Sequence, residues 1–432
     1  MDAGDLLWKS ERLDEARLPQ QRVKGDLLLR AYAQGGIDAM LFGESDLSLG
    51  VDWLSARVQD LELPAIATNM TCEGMELPTY RVVHRGGLTV GFLGVSGRAT
   101  AGKCTYSLAV PAVKTAITEM GVVDLLVLLS HQDSKADEAL VEALPEVDLV
   151  VNGHGRKSIK TPKPLGQTAL QLSTGTRGKK LGVARVLLVE GGSGFQVDGA
   201  AEELESKLKK IEARLKRAKS DRQSRGGSKN KGALDSRIRR LSRQVDGLQS
   251  EIAVSKEQPD TQKHRIRNRL RPLNDKIDDH PDIHALVQAA KPLIDAAAAI
   301  AVPRSKGAHS AFVGEQACLS CHPSQHAQWK STPHAYAWST LQQVGRSKDL
   351  ECWSCHVTGA NQPSGPQHPS QVEGLENVGC ESCHGPGIEH ISGPAKTNIQ
   401  RQPKLDVCTQ CHDGVKDEGR FEPDKYMSQV TH

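Results

Sequence analysis

The sequence predicts a multidomain chain: an α/β domain with a largely buried sheet, a helical hairpin, and a final segment, mostly α or irregular, that cannot build its own core. Three observations carry this. Short β-branched runs alternate with amphipathic stretches over residues 1–200, an aliphatic seam occupies 201–300, and eight of the ten cysteines fall between Cys318 and Cys411. The 432 residues are 38% hydrophobic and 25% charged, ample for two or three domains. A balance of 55 Lys+Arg against 52 Asp+Glu leaves +3, too mild to imply nucleic acid. Aromatic residues make up only 3%, thin for several cores built from side chains alone.

In the first region, strand-like runs fall at 38–42, 64–68, 88–95, 124–130, 148–151, 169–172 and 181–189. Helix-like periods fall at 13–34, 51–61, 110–120 and 135–144, and strands alternating with helices argue a mainly buried sheet. Arg85-Gly86-Gly87 and Glu190-Gly191-Gly192 read as hairpin turns. In the second region Leu204, Leu208, Ile211 and Leu215 keep a helical spacing that Leu234, Ile238, Leu241, Val245, Leu248 and Ile252 resume. The polar, glycine-rich stretch 224–232 between them predicts an antiparallel coiled-coil hairpin. Its Lys- and Arg-rich outer faces read as solvated surface, and the seam offers a route to self-association.

The third region, 308–432, repeats one motif four times: Cys318-Leu-Ser-Cys321-His322, Cys352-Trp-Ser-Cys355-His356, Cys380-Glu-Ser-Cys383-His384 and Cys408-Thr-Gln-Cys411-His412. Composition alone would give about 0.009 copies of C-x-x-C-H. Zinc ribbons use C-x-x-C pairs but need no histidine after every second cysteine. A disulfide framework would not repeat one spacing four times. Covalent haem explains all the motif positions: two thiols on one helical turn reach the two vinyl groups, and the next imidazole is the proximal ligand. Four covalent haem c groups are expected, and they would supply the missing apolar core.

Around these motifs the chain resembles the tetrahaem cytochromes of the c-554 type. The matching text is the first motif running into Trp329-Lys330-Ser331-Thr332-Pro333-His334-Ala335, then His356-Val357-Thr358-Gly359, then 378–387 with His390, then Val407 with the fourth motif. The resemblance implies close-packed haems passing single electrons, with His334 and His390 where the family places distal ligands. His309 is a further candidate ligand. His326 and His368 read better as surface imidazoles, and His432 as a frayed terminal residue.

The first 200 residues resemble a metallophosphoesterase of the 5′-nucleotidase type. Asp2-Ala3-Gly4-Asp5 is similar to the family's D-x-G-D, 41–50 to G-N-H-E-F-D-x-G, and Ala67-Thr68-Asn69 to the S-A-N strand end. Ser130-His131 and Gly153-His154-Gly155-Arg156 resemble the later metal motifs. The resemblance implies an α/β sandwich with metals at strand ends. The chemistry departs from it. Glu44 stands where the family has a ligand Asn, Ser45 where it has the catalytic His, and Arg156 where it has the second His. Ser45 cannot protonate a leaving alkoxide at neutral pH, and Arg156 repels a metal. A two-metal mechanism needs cations about 3.5–4 Å apart. At best Asp5, Glu44, His131 and His154 hold one divalent ion.

The expectation is therefore a periplasmic electron carrier with redox proteins or quinol-linked donors as partners. Whether it is an enzyme stays open between a metal-dependent phosphoester hydrolase with a cytochrome module and a small-molecule reductase at a five-coordinate haem. The longest apolar candidate for a membrane span, 292–302, is short and carries Asp295. Because haem is attached to this motif outside the cytoplasm, an export signal is expected. Residues 1–5 show neither basic head nor apolar run, so the reading frame is expected to extend upstream through a signal and a D-x-H strand.

Overall fold

The computed structural model describes the chain except residues 9, 98–102, 156, 225–230, 256–259, 301–310, 361, 363, 415–416 and 418. The backbone divides into two compact units. One is 1–11 with 36–278, the other 12–35 with 279–432. This differs from the division into 1–200, 201–300 and 308–432 that composition suggests: residues 12–35 group with the cysteine-rich region, and the helical hairpin groups with the α/β region.

The first unit is built on a six-stranded sheet in the order Tyr80–Arg85, Leu88–Ser96, Leu125–His131, Leu149–Asn152, Ala169–Ser173 and Ile159–Leu165. The central pairings are parallel and the two outer ones antiparallel. Leu125–His131 shows why its sequence reads as one apolar run. Leu126 and Leu128 pack with Val113 and Ala116 of the helix Ala109–Met120 and Leu140 of Ser134–Ala143. Val127 and Leu129 pack on the other face with Leu41, Ile66 and Ile266. A strand buried on both faces does not alternate. That second face is covered by the parallel pair Asp2–Ala3 and Met40–Leu41 and by a three-stranded sheet of Lys180–Leu187, His264–Pro272 and Phe195–Val197.

Two turns predicted from glycines come out differently. Gly86-Gly87 does close a hairpin, pairing Arg85 with Leu88. Gly191-Gly192 does not, because His264–Pro272 lies between the two strands it connects. That strand sits inside the region read as hairpin. Its Ile266 and Leu270 alternate with four arginines, so the period of two is carried by few apolar residues. The hairpin itself spans Ala200–Ser224 and Lys231–Ser255, buries Ala218, Leu241, Leu248 and Ile252, and is tied near its turn by Arg222 Nε to Asp235 Oδ1 at 2.7 Å. Residues 225–230 of the expected turn lie outside the described residues.

In the second unit the helix Leu18–Gln34 packs with Pro281–Ala298, and short helices follow. Buried Gln20 donates to the carbonyls of Ile294 (2.8 Å) and Lys348 (2.7 Å) and accepts from Leu350 N–H (3.0 Å). Lys24 reaches Asp349 at 2.5 Å and Glu351 at 2.9 Å. The apolar cluster of this unit is small: Phe312, Leu350, Trp353, Val357, Ala360, Val372 and Leu375. Among the described residues no helix is long and apolar enough to cross a membrane.

Candidate functional site

Two sites emerge, one in each unit. In the first, the strand ends bring Asp5, Glu44, His131 and His154 together. His131, fully buried at the end of its strand, is fixed by a hydrogen bond between Nδ1 and the Ala3 carbonyl at 2.9 Å. Its Nε2 lies 3.0 Å from Glu44 Oε2, 3.3 Å from Asp5 Oδ2 and 3.4 Å from His154 Nδ1. Burial opposes the charge on His131, but the hydrogen bonds to Asp5 and Glu44 outweigh it and push the imidazole up to about 10.

The loops that deliver these groups are held by residues whose role the motifs alone do not disclose. Asp46, fully buried, accepts the N–H groups of Asp5 (2.8 Å), Leu7 (2.8 Å) and Gly43 (2.9 Å), while burial pushes its carboxyl up to about 7. Gly43 leaves the space: a Cβ there would sit 2.4 Å from Asp5 Oδ1. Gly153 is equally constrained, since its Cβ would meet the Ala3 carbonyl at 2.1 Å. Behind His154, Asn152 donates to Asp137 (2.6 Å) and accepts from Gly155 N–H (2.8 Å). Ser45 is buried and its hydroxyl donates to the Trp8 carbonyl at 3.0 Å, so it is turned to the backbone. Arg156 lies outside the described residues.

Glu44, His131 and His154 each offer a ligand atom, all within 4.8 Å of one another. A carboxylate and two imidazoles suit one divalent transition-metal ion, with Asp5 as a further oxygen donor.

In the second unit the motif histidines pair with other histidines. The ring centres of His322 and His390 are 6.4 Å apart, those of His412 and His334 6.3 Å, and those of His384 and His432 5.6 Å. At about 2 Å per metal–imidazole bond, two imidazoles on opposite faces of one iron hold their ring centres roughly 6 Å apart. The residues therefore fit bis-histidine haem. The carbonyl of Gln400 lies 2.7 Å from His384 Nδ1 and that of Ala337 2.6 Å from His356 Nδ1, contacts that leave Nε2 for a metal. Burial and neighbouring His412 hold His334 below its ordinary value, which favours the neutral, ligating form. Among the described residues His356 faces no second imidazole.

Two readings of lone histidines change. His432 is not a stray end but faces His384. His326 is buried rather than superficial, packed against Trp329 with Nε2 unpartnered. His368 is half-buried and caps a short turn at Ser370, and His309 lies outside the described residues.

Residues 317–385 match the family model of cytochrome c554 and c-prime. Cytochrome c-554 of Nitrosomonas europaea is 36% identical over 91 residues, covering 18% of this chain and 39% of that protein. An uncharacterized metallophosphoesterase of Bacillus subtilis, YunD, is 29% identical over 163 residues, covering 35% of this chain and 34% of that one. The chain joins a metallophosphoesterase-like region to a cytochrome c-554-like one. A solved 5′-nucleotidase precursor from Thermus thermophilus is similar at 21% identity and a TM-score of 0.37, over 42% of this chain and 40% of that one. The chain thus spans 34% and 39% of the lengths of the two curated relatives.

The cytochrome c-554-like region implies covalent haem c. The matched range contains the first three motifs, and the fourth, Cys408–His412, follows it. Haem supplies one-electron chemistry when bound. The chain's own residues would hold it: the paired cysteines as thioethers and the motif histidines as ligands, with the Gln400 and Ala337 carbonyls orienting the rings of His384 and His356. In the metallophosphoesterase-like region Glu44, His131 and His154 could hold a metal ion, with Ser45 beside Glu44 turned to the backbone.

Proposed function

We propose that the chain is a periplasmic electron carrier with four covalent haems, and that its metallophosphoesterase-like region holds at most one divalent ion and hydrolyses nothing. The observation that carries this reading is the pairing of three motif histidines with three others at ring separations suited to one iron between them. The compartment is supported by the Cys72–Cys104 disulfide, a bond at home outside the cytoplasm. Its partners are redox proteins or quinol-linked donors. That His356 faces no second imidazole among the described residues supports a second reading, reduction of a small molecule at a five-coordinate haem.

A pyridine haemochrome assay on protein from a haem-maturing host tests the first reading and should return about four haems per chain. Replacing His334 or His390 by Gly should turn one low-spin haem high-spin by electron paramagnetic resonance. Absence of a Soret band would sink the proposal.

A further inference from the structure

Glu381 occupies the position after Cys380 in the third motif, where haem attachment asks nothing of the side chain. Yet it is 4% exposed. Its Oε1 accepts the N–H of Gly387 at 2.6 Å, its Oε2 that of Gly314 at 2.8 Å, and both oxygens lie 3.0 Å from the N–H of Val313. Among the described residues no cation pairs with it. A buried carboxylate answered only by backbone donors is a strong clamp on those donors, because removing it leaves three of them unpaired.

The clamped segments have one thing in common. Gly314 caps Glu315–Leu319, the helix that carries Cys318 and leads to His322. Gly387 caps Ile388–Ser392, the helix that carries His390. These are the two imidazoles whose rings lie 6.4 Å apart at an interplanar angle of 23°. The space at Gly387 is fitted to the carboxylate, for a Cβ there would lie 3.0 Å from Glu381 Oε1. The backbones of the two segments are also joined directly, Ile388 N–H donating to the Ala311 carbonyl at 3.2 Å.

We propose that Glu381 is a positioning residue for the first haem: from inside the third motif, its carboxylate sets the spacing of the axial pair His322 and His390. This rests on the haem reading above. The carboxylate does a second thing by its charge. A buried anion at the starts of the helices that carry Cys318 and His390 would favour the ferric state of a haem held there and lower its potential relative to a neutral group.

The test is Glu381→Gln in the full, haem-loaded chain. Gln keeps the shape but sets an NH₂ against donors that need an acceptor, and loss of such an outer partner typically weakens ligation about 10–100-fold. The haemochrome count should stay at the wild-type value. One low-spin resonance should lose intensity to a high-spin signal, and the potential of one haem should rise. In a His390→Gly background, where that haem is already high-spin, Glu381→Gln should leave the resonance spectrum as it was. Glu381→Asp, which keeps the charge but shortens the reach, should disturb the resonance and raise the potential less than Glu381→Gln does. Unchanged resonance and potentials in Glu381→Gln overturn the proposal. So does a disturbance spread over all haems, which would make Glu381 a general packing residue. A wild-type chain without haem overturns the underlying reading and this one together, whereas a haem-loaded wild type with indifferent Glu381 variants overturns this one alone.

Discussion

The two ligand clusters are assembled in opposite ways. Asp5, Glu44, His131 and His154 come from four separate stretches of chain and meet because a sheet buried on both faces brings their ends together. The haem-attachment residues are delivered by short local motifs, around a cluster of seven buried apolar residues and the partly buried Trp338. The first site is a by-product of a core that exists without a ligand. Among the described residues the second unit has only that small core, so haem bound there would also serve as its interior. A metal lost from the first should cost little, and haem lost from the second should cost the fold.

The largest effect expected is therefore from withholding haem. Expressed without haem maturation, the chain should show one cooperative unfolding transition, that of the α/β unit, with residues 279–432 proteolysed rapidly. Two transitions in haem-free protein, followed by calorimetry, would show that side chains alone stabilise the second unit.

Next comes the helix Leu18–Gln34, which belongs to the second unit although it lies in sequence between strands of the first. Gln20→Ala strands the Leu350 N–H and two carbonyls and should cost the second unit about 2–3 kcal/mol. Lys24→Ala should cost about 2 kcal/mol, since Asp349 keeps Arg346 at 2.6 Å. Burial alone would raise Asp349, but Lys24 and Arg346 hold it below its ordinary value. A carboxyl depressed in the folded state contributes stability that is fully present above its unfolded value of about 4. That contribution is lost as the pH falls through the lower folded value. Lys24→Ala should flatten this acid limb. Chemical denaturation of the second unit between about pH 2 and 5 measures both effects, and an expression boundary near residue 300 should give insoluble cytochrome for want of 12–35.

What was legible in the sequence follows the same contrast. The haem motifs read at sight because attachment chemistry is local, a thiol spacing and an adjacent imidazole. The strands Leu88–Ser96, Leu125–His131 and Leu149–Asn152 read well because burial on both faces leaves continuous apolar runs. His264–Pro272 did not, because arginine fills the alternate positions and Ile266 alone is fully buried. The placement of 12–35 was illegible for a different reason: an amphipathic helix shows that it has a partner and not which one. Glu381 and Asp46 hide similarly. A buried carboxylate that accepts backbone N–H groups leaves no periodicity behind it, and its partners are set only once the loops have closed.

A smaller effect is expected from metal. Mn²⁺ or Zn²⁺ at about a hundred times its dissociation constant should stabilise the first unit by about 2.7 kcal/mol and leave the second unmoved. His131→Ala should abolish the shift, and a shift that survives it would place the ion elsewhere.

The smallest expected effect is none at all, on phosphoester hydrolysis. Turnover of a chromogenic phosphodiester or of AMP with Mn²⁺, Zn²⁺ or Mg²⁺ should stay at background, even where the thermal shift shows an ion bound. One cation can hold a water or polarise a phosphate oxygen, but the two-metal clamp that stabilises both attacking and leaving oxygens needs a second. The leaving group would also need a proton, and the residue at the family's catalytic position, Ser45, has its hydroxyl on the Trp8 carbonyl inside the protein. Replacing Ser45 by His is thus not a simple restoration: the larger ring must leave a buried pocket where the serine now satisfies a backbone acceptor. Glu44→Asn with Ser45→His should remain inactive for both reasons, with the first unit less stable than wild type. Metal-dependent turnover by the unaltered chain, abolished by His131→Ala, would make the first site a working centre and remove the proposed contrast between an inactive cluster and a unit that needs its ligand.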